Sequence, residues 1–207
     1  LARELGLQKS GVHRLLAALK SRGLVEQTVQ GEYALGLGLI SLASAASTGN
    51  PLVSAAAGVL DQLAGNTGET VFLVGERSAA LTVLAMAEGS GFLRAAPRIG
   101  DLIPAKRTAV GKLYRVHDPN GTVSDLPRLS SSDREEIEAQ GYAMNEEEWQ
   151  PGLSVMAVPL FCEGKFLGAV ALASVAQRMA LLSRKRTVAL LQSSAHAIQD
   201  RLEGKQV

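Results

Sequence analysis

The start of the chain alternates apolar and polar residues with the period of an α-helix. Four apolar side chains recur at positions i, i+3, i+4 and i+7, which places them on one helix face. They are Val12, Leu15, Leu16 and Leu19. The pattern predicts an amphipathic helix over Ser10–Lys20, with Ser10 as its N-cap and Gly23 just past its end. Leu1–Leu7 has the same period and contains Gly6, and it is interpreted as the end of a preceding helix.

Two β-prone runs follow this helix and predict a hairpin. The runs Leu24–Val29 and Glu32–Leu35 flank the turn Gln30-Gly31, whose glycine suits a tight connection. Small apolar residues then recur at helical spacing over Gly38–Ser47, which predicts a linker helix. Gly49-Asn50-Pro51 ends that helix and marks a domain boundary.

The remainder of the chain predicts a second domain built from strands and helices. An apolar helical pattern covers Val53–Asn66, and a short run predicts a strand around Phe92–Ala95. Leu153–Phe161 and Phe166–Ser174 are almost wholly apolar, which is typical of strands buried on both faces. Leu182–Leu202 has amphipathic spacing and predicts a closing helix. Paired strands between helices favour an α+β fold with a sheet and a pocket.

Composition changes this picture mainly through the distribution of charge. The chain has 207 residues and a formal net charge of +1, so it is not a polycation that coats nucleic acid. Lys9–Arg22 nevertheless holds four cations and no acid, whereas Asp133–Glu148 holds seven acids and one arginine. A basic amphipathic helix suits a groove lined with phosphates. The single Cys162 excludes an internal disulfide and no apolar run reaches bilayer length, so we expect a cytoplasmic protein that does not enter a membrane.

The sequence lacks patterns typical of catalytic and metal sites. The three histidines are scattered, and no His-x-x-x-His or Cys-x-x-Cys pair offers metal-ligand spacing. Gly111-Lys112 matches part of a phosphate-binding loop motif. That motif needs glycine at position 106 and Ser or Thr at position 113, where this sequence has Lys106 and Leu113. We therefore expect no catalytic residue, no metal and no cofactor. Two alternatives to a nucleic-acid-binding role stay open: an interaction module with an empty pocket, and an enzyme that uses the pocket.

Six segments, taken in order and at their spacing, resemble the IclR family of bacterial transcriptional regulators. They are GLQKSGVHRLLAALKSRGLVEQ, YALGLGLISLA, TGETV, PAKRTAVGK, GYAMNEEEWQPGLSVMAVPL and LGAVALAS. The resemblance implies a winged helix–turn–helix in residues 1–36, a linker helix in 37–50 and an effector-binding domain in 51–207. That domain is expected to have a GAF-like α/β fold with a central antiparallel sheet. The family's first helix has no counterpart in the sequence, so we expect a further helix ahead of Leu1.

The resemblance also implies partners. Family members are homodimers or homotetramers that bind palindromic double-stranded DNA operators and respond to small effectors, often organic or aromatic acids. The implied DNA-binding residues are Gln8, Lys9, Ser10, His13, Arg14 and Arg22. Arg14 and Arg22 are expected to contact phosphates. Gln8, Lys9 and His13 are expected to contact base edges, either alone or together with phosphates.

The implied effector-binding residues lie in three segments of the second domain. They are Thr108, Ala109, Val110, Gly111, Asn145, Val155, Ala171 and Ala173. Val155, Ala171 and Ala173 stand where relatives with small polar effectors often carry Ser or Cys, which predicts a moderately apolar effector. Asn145 and the free amides at the start of the Thr108 helix are expected to hold a carboxylate. Trp149 is interpreted as a packing residue.

Overall fold

The chain divides into two compact units. The structure is a computed structural model that describes residues 1–91, 95 and 97–204. One unit is Leu1–Asn50, and the other begins at Pro51. Pro51 suits this boundary because proline fits the first turn of a helix but not its interior, and a helix begins there. Within the described residues, every helix falls short of the length and hydrophobicity that crossing a bilayer demands.

The first unit contains the predicted helix and hairpin. Its described elements are helix α1 (Lys9–Ser21), strands β1 (Val25–Gln27) and β2 (Tyr33–Leu35), and helix α2 (Gly38–Thr48). The two strands pair antiparallel, with Val25 opposite Leu35 and Gln27 opposite Tyr33. The predicted hairpin and the helix that follows it are therefore confirmed.

Glycines end helical turns on both sides of α1. The amides of Leu7 and Leu24 each donate to a carbonyl five residues earlier, both at 3.0 Å. Such bonds define a Schellman motif, whose preceding residue must be left-handed, and Gly6 (φ +63°) and Gly23 (φ +68°) meet that requirement. The stop predicted at Gly23 is confirmed, whereas residues 2–6 form turns and no helix precedes Lys9 in the described residues.

Close backbone contact joins the hairpin to the end of α1. The Gly38 amide donates to the Gly23 carbonyl at 2.9 Å, and the Gly36 amide donates to the Leu24 carbonyl at 2.9 Å. A Cβ at Gly36 would overlap the Gly23 carbonyl oxygen. The hairpin and the first turn of α2 lie this close to α1 because these positions carry no side chain.

The start of α1 differs from the prediction. Gln8, with an extended ψ of 142°, is the N-cap, so Ser10 lies inside the first turn and does not cap the helix. The Schellman turn at Gly6 sets this start, because it releases the chain into an extended conformation directly before Lys9. The apolar face is also less covered than its spacing predicts: Val12 is buried, but Leu15 is 56% exposed.

The second unit is an antiparallel sheet with helices on both faces. Its described strands are β3 (Thr70–Arg77), β4 (Ala80–Ala87), β5 (Leu102–Ile103), β6 (Ala143–Glu146), β7 (Leu153–Cys162) and β8 (Lys165–Val175). They form one sheet in the order β5-β4-β3-β8-β7-β6, and every neighbouring pair is antiparallel. Its described helices are α3 (Pro51–Ala56), α4 (Val59–Thr67), α5 (Ala109–His117), α6 (Ser131–Gln140), α7 (Ala176–Leu181) and α8 (Arg184–Leu202). The α+β fold with a central antiparallel sheet is confirmed.

Two apolar cores lie on the two faces of this sheet. Val170 and Leu172 of β8 belong to the core that includes α3, α4 and α8. Ala169, Ala171 and Ala173 of the same strand belong to the core that includes α5. The split follows from the alternation of side chains along a strand. Because β8 lies between β3 and β7, the prediction that the two apolar runs form central, buried strands is confirmed.

Other features of the second unit differ from the predictions. The helix predicted over Val53–Asn66 is two helices, because Gly58 adopts a left-handed conformation (φ +72°) that breaks the run. Strand β6 and helix α7 have four and six residues, too few to show a period in the sequence. Residues 92–94 of the strand predicted around Phe92–Ala95 lie outside the described residues.

Helix α5 starts with a side-chain cap and a tight backbone contact. Thr108 Oγ1 accepts a hydrogen bond from the Gly111 amide at 3.1 Å and donates to the Pro104 carbonyl at 2.7 Å. The helix lies so near the preceding loop that a Cβ at Gly111 would overlap the Ala105 carbonyl oxygen. This packing therefore requires glycine at position 111.

We expect Gly111→Ala to lower the free energy of unfolding by about 2 kcal/mol or more, because the added methyl group has no space beside Ala105. Gly65→Ala is the matched control. Gly65 lies in α4 with nothing within 4 Å of an added Cβ, so this change should stabilise the protein by up to about 1 kcal/mol. Urea unfolding followed by circular dichroism measures both, and equal effects would show that the contact at Gly111 is not tight.

Candidate DNA-binding helix and effector cavity

The exposed face of α1 carries unpaired positive charge. All the residues predicted to face DNA are exposed: Gln8, Lys9, Ser10, His13, Arg14 and Arg22. The first turn of α1 has no acid. Within the part of the chain that the structure describes, Lys9, Arg14 and Arg22 form no ion pair. Their charge is therefore available to an external anion such as a phosphate.

Side-chain bonds connect the hairpin to α1. Lys20 Nζ donates to Gln27 Oε1 at 3.3 Å, which links the last turn of α1 to β1. Gln27 Nε2 donates to the Gly31 carbonyl at 3.1 Å, which links β1 to the hairpin turn. These bonds add to the backbone contact between Gly23 and Gly36, so the hairpin has a defined position beside the helix.

The sheet aligns several predicted effector-binding residues. Asn145 on β6 pairs with Val155 on β7, and Val155 pairs with Ala173 on β8. Residues directly opposed on antiparallel strands share a face of the sheet. Ala171 lies two residues before Ala173 and shares that face, and it pairs with Phe72 of β3. The structure thus brings these side chains into one patch.

Asn145 joins this patch to the start of α5. Its Nδ2 donates to the carbonyl of Arg107, directly before the cap residue Thr108. Thr108–Gly111 is buried throughout, and the Gly111 amide donates to Thr108 Oγ1. Two of the donors expected to hold a carboxylate therefore have partners within the protein, and their role in effector binding stays a prediction.

A cavity of about 720 Å³ opens beside the patch. Its lining includes Phe72, Asp101, Leu102, Trp149, Val155 and Ala173. Val155 and Ala173 are predicted effector-binding residues. The other predicted residues are buried and do not line it. Its volume lies in the range of small-molecule sites, which are mostly apolar with a few polar groups.

A second cavity, of about 940 Å³, is strongly charged. Several of its charges are already paired: Lys112 Nζ contacts Glu148 Oε1 at 2.5 Å, and Arg184 contacts Glu146 Oε1 at 3.1 Å. Lys112 also donates to the Met144 carbonyl at 2.7 Å. None of the predicted effector-binding residues lines this cavity.

Titratable side chains on α5 are buried among aromatic rings. Burial raises the pKa of Tyr114, whose ring packs edge-on against Phe166 with centroids 4.8 Å apart. Burial lowers the pKa of His117, which contacts Phe161 at 5.2 Å and Phe166 at 5.4 Å between centroids. Both groups therefore favour their neutral forms. In the described residues, no group of three or more His, Cys, Asp or Glu could hold a metal ion.

Known proteins match the chain at both ends. The family model described as the IclR helix-turn-helix domain matches residues 1–28, and the model described as bacterial transcriptional regulator IclR C-terminal matches residues 120–200. The DNA-binding transcriptional repressor YiaJ of Escherichia coli (strain K12) is 30% identical over 95% of this chain and 77% of its own length. This chain belongs to the IclR family. Because such relatives are named transcriptional regulators, the prediction that the chain is not an enzyme is confirmed.

Solved structures of IclR proteins share the fold. The Thermotoga maritima IclR aligns with a TM-score of 0.75 at 21% identity, over 97% of this chain and 88% of its own. An IclR homolog from Microbacterium hydrocarbonoxydans, complexed with 4-hydroxybenzoate, aligns with a TM-score of 0.77 at 20% identity, over 98% and 89%. At these identities the likeness concerns the fold alone.

Most residues that line the cavity are absent from the sequence prediction, among them Asp101, Leu102 and Trp149. Trp149, interpreted from the sequence as a packing residue, is 39% exposed and lines the cavity. Leu102 is the first of the two residues of β5, and Asp101 lies directly before that strand. For Leu102 and Trp149 the sequence does offer one signal, a large apolar side chain within a polar loop. That signal does not show which other residues share a cavity with them.

An ion pair that the sequence does not reveal joins α7 to the residue directly before β3. Arg178 on α7 donates through Nε to Glu69 Oε1 at 2.8 Å and through Nη2 to Glu69 Oε2. Glu69 is 3% exposed and directly precedes β3. Helix α7 follows the cavity residue Val175, so the two-pronged bond ties this side of the cavity to the sheet.

We expect Arg178→Met to lower the free energy of unfolding by about 2 to 3 kcal/mol, because it leaves the buried Glu69 carboxylate without this partner. The loss should stay below that of a fully buried pair because 34% of the Arg178 side chain is exposed. Arg184→Met is the control: its pair with Glu146 is 60% and 63% exposed and should contribute less than about 1 kcal/mol. Guanidinium unfolding compares the two, and similar losses would contradict a role for burial.

Proposed function

We propose that this regulator binds a palindromic operator through the exposed face of α1, and that the apolar cavity beside β8 binds a small, moderately apolar acid that changes this binding. Family membership makes the chain a DNA-binding transcriptional regulator with a C-terminal effector domain. The residues of each site and the chemistry of the effector are the proposal. The observation that carries the DNA part is the unpaired cationic surface from Gln8 to Arg14.

Each DNA-binding residue receives a role in the proposal. Arg14 and Arg22 contact phosphates, because both are exposed cations without an ion pair in the described residues. Gln8, Lys9 and His13 face base edges, because the first turns of a recognition helix enter the major groove. Ser10 adds a hydroxyl beside them in the first turn.

The active species in this proposal is a homodimer or homotetramer in the cytoplasm, where bacterial DNA lies. A palindromic operator presents two half-sites, and the symmetry of the protein matches that of the DNA. A lone half-site contact would give too little affinity and specificity for a regulator.

We expect Arg14→Ala to weaken binding to operator and random DNA by similar factors, because a phosphate contact carries no sequence information. The log–log dependence of affinity on salt should lose about 0.9 from the magnitude of its slope, since one fewer counterion is released. Fluorescence anisotropy of a labelled duplex from the upstream region of its own gene measures both quantities across a potassium chloride series.

The matched control is Lys165→Ala, which removes the same charge from the first residue of β8 in the second unit. Its slope should equal that of the unchanged protein. If Arg14→Ala leaves the affinity and the salt slope unchanged, or if both variants change by the same amount, Arg14 does not contact the DNA. A protein that retards no upstream DNA in a gel contradicts the DNA-binding proposal itself.

Three observations support an apolar acid as the effector. Phe72, Val155 and Ala173 give the cavity an apolar wall, and its volume suits a small metabolite. The other cavity has a charged lining with internal ion pairs, which favours water over an apolar ligand. The IclR homolog of Microbacterium hydrocarbonoxydans is complexed with 4-hydroxybenzoate, an acid with an apolar ring.

We expect Leu102→Gln to weaken binding of an aromatic or branched acid about fivefold, because Leu102 lines the cavity and is 67% exposed without ligand. Leu181→Gln is the control, since Leu181 is 86% exposed on α7 and does not line the cavity. Titration calorimetry with a panel of acids gives the ratio. Binding only of small hydrophilic acids such as glyoxylate would overturn the proposed effector class.

A further inference from the structure

We propose that Trp149 and Asp101 select the effector: Trp149 stacks on an aromatic ring, and Asp101 accepts a hydrogen bond from a hydroxyl group on that ring. The effector class is therefore a hydroxylated aromatic acid. This inference rests on the proposed function, in which the cavity of about 720 Å³ is the effector site.

The loop that carries Trp149 is held at its base. Glu147 and Gly152 both have left-handed backbones, at φ +58° and +80°. The Gly152 amide donates to Glu147 Oε2 at 2.7 Å, and the Glu147 amide donates to the Leu153 carbonyl at 3.0 Å. The Leu153 amide donates to the Gln150 carbonyl at 3.1 Å. These bonds close the loop at its two ends and leave Trp149 at its tip.

Trp149 and Leu102 expose large apolar surfaces to the same cavity. Trp149 is 39% exposed and Leu102 is 67% exposed, and both line it together with the buried ring of Phe72. An apolar ligand in the cavity would remove this surface from water. An aromatic ring gains more than an aliphatic chain of the same area, because ring pairs add an electrostatic preference for stacked or edge-to-face contact.

Asp101 gives the cavity a directed acceptor. The Arg98 amide donates to Asp101 Oδ2 at 2.8 Å, and the Asp101 amide donates back to the Arg98 carbonyl at 3.0 Å. The Asp101 carbonyl also accepts the Val83 amide at 3.0 Å, which ties the turn to β4. Asp101 Oδ1 accepts no hydrogen bond from the described residues. One carboxylate oxygen is therefore held by the turn, and the other remains for a ligand.

The charge of the lining orients such a ligand. Asp101 is the one acid in the described lining, and no Lys, Arg or His accompanies it there. The ligand's own carboxylate is repelled by Asp101 and so lies at the opposite end of the ring. A hydroxyl group next to Asp101 donates to a charged acceptor, which is stronger than a bond between neutral groups. Gln150, on the Trp149 loop, offers a side-chain amide donor in the same lining.

Trp149 also supplies the measurement, because it is the only tryptophan in the chain. The full chain is titrated with 4-hydroxyphenylacetate, with phenylacetate and with cyclohexylacetate, and the emission of Trp149 is followed. Stacking should quench or shift the emission for the two aromatic acids. The hydroxylated acid should bind about tenfold or more tightly than phenylacetate.

Variants assign the two contributions by calorimetry. Asp101→Asn should reduce the preference for the hydroxylated acid to within about twofold while Arg98 keeps an oxygen acceptor, whereas Asp125→Asn, an acid of the other cavity, should leave it unchanged. Trp149→Leu should weaken both aromatic acids about five- to tenfold and spare cyclohexylacetate, and Trp149→Phe should restore most of the loss.

The outcomes separate this inference from the proposed function. If acids bind with sensitivity to Leu102→Gln but without change in Trp149 emission or in hydroxyl preference, the selection by Trp149 and Asp101 is wrong and the effector cavity stands. If no acid binds, both are wrong. Loss of preference in Asp125→Asn as well as Asp101→Asn would also overturn the inference, because it would indicate a general charge effect.

Discussion

The second unit depends on the burial of β8 on both of its faces. Val170 and Leu172 fill the face toward α8, whereas the middle of the opposite face carries alanines at 169, 171 and 173. These small side chains leave space above this face of the sheet, and a helix and a cavity occupy that space. Helix α5 packs into one part, and the cavity over Ala173 occupies another. The small side chains along one strand therefore leave the space that both α5 and the cavity occupy.

The sequence predicted those features whose cause is local. β7 and β8 are continuous apolar runs because both faces are buried, and the stop at Gly23 follows from a left-handed cap. The break at Gly58 escaped prediction because glycine within a small-residue run also fits a continuous helix. The eight proposed effector-binding residues came from family resemblance, and only Val155 and Ala173 line the cavity. Trp149 and Asp101 escaped because periodicity does not show that two loops far apart in the sequence line the same cavity.

The first unit combines a tight backbone contact with free surface charge. Gly23, Gly36 and Gly38 bring the hairpin and the next helix against the end of α1, and this contact needs no side chain. Lys9 and Arg14 of α1 therefore have no packing task and remain in solvent. Interactions of such charges with phosphates are strong at low salt and fall steeply as salt rises. Backbone packing sets the shape of this unit, and its side chains determine what it attracts.

The self-contained bonding of the Glu147–Gly152 loop has a consequence for how relatives of this protein can diverge. Its amides and the Glu147 carboxylate close the loop without help from the residues at its tip. Substitutions at 149 and 150 therefore alter the wall of the cavity at little cost to folding, and neither position belongs to the DNA-binding unit. A lineage can exchange the metabolite it senses while the genes it controls stay the same, so response and target can be inherited separately.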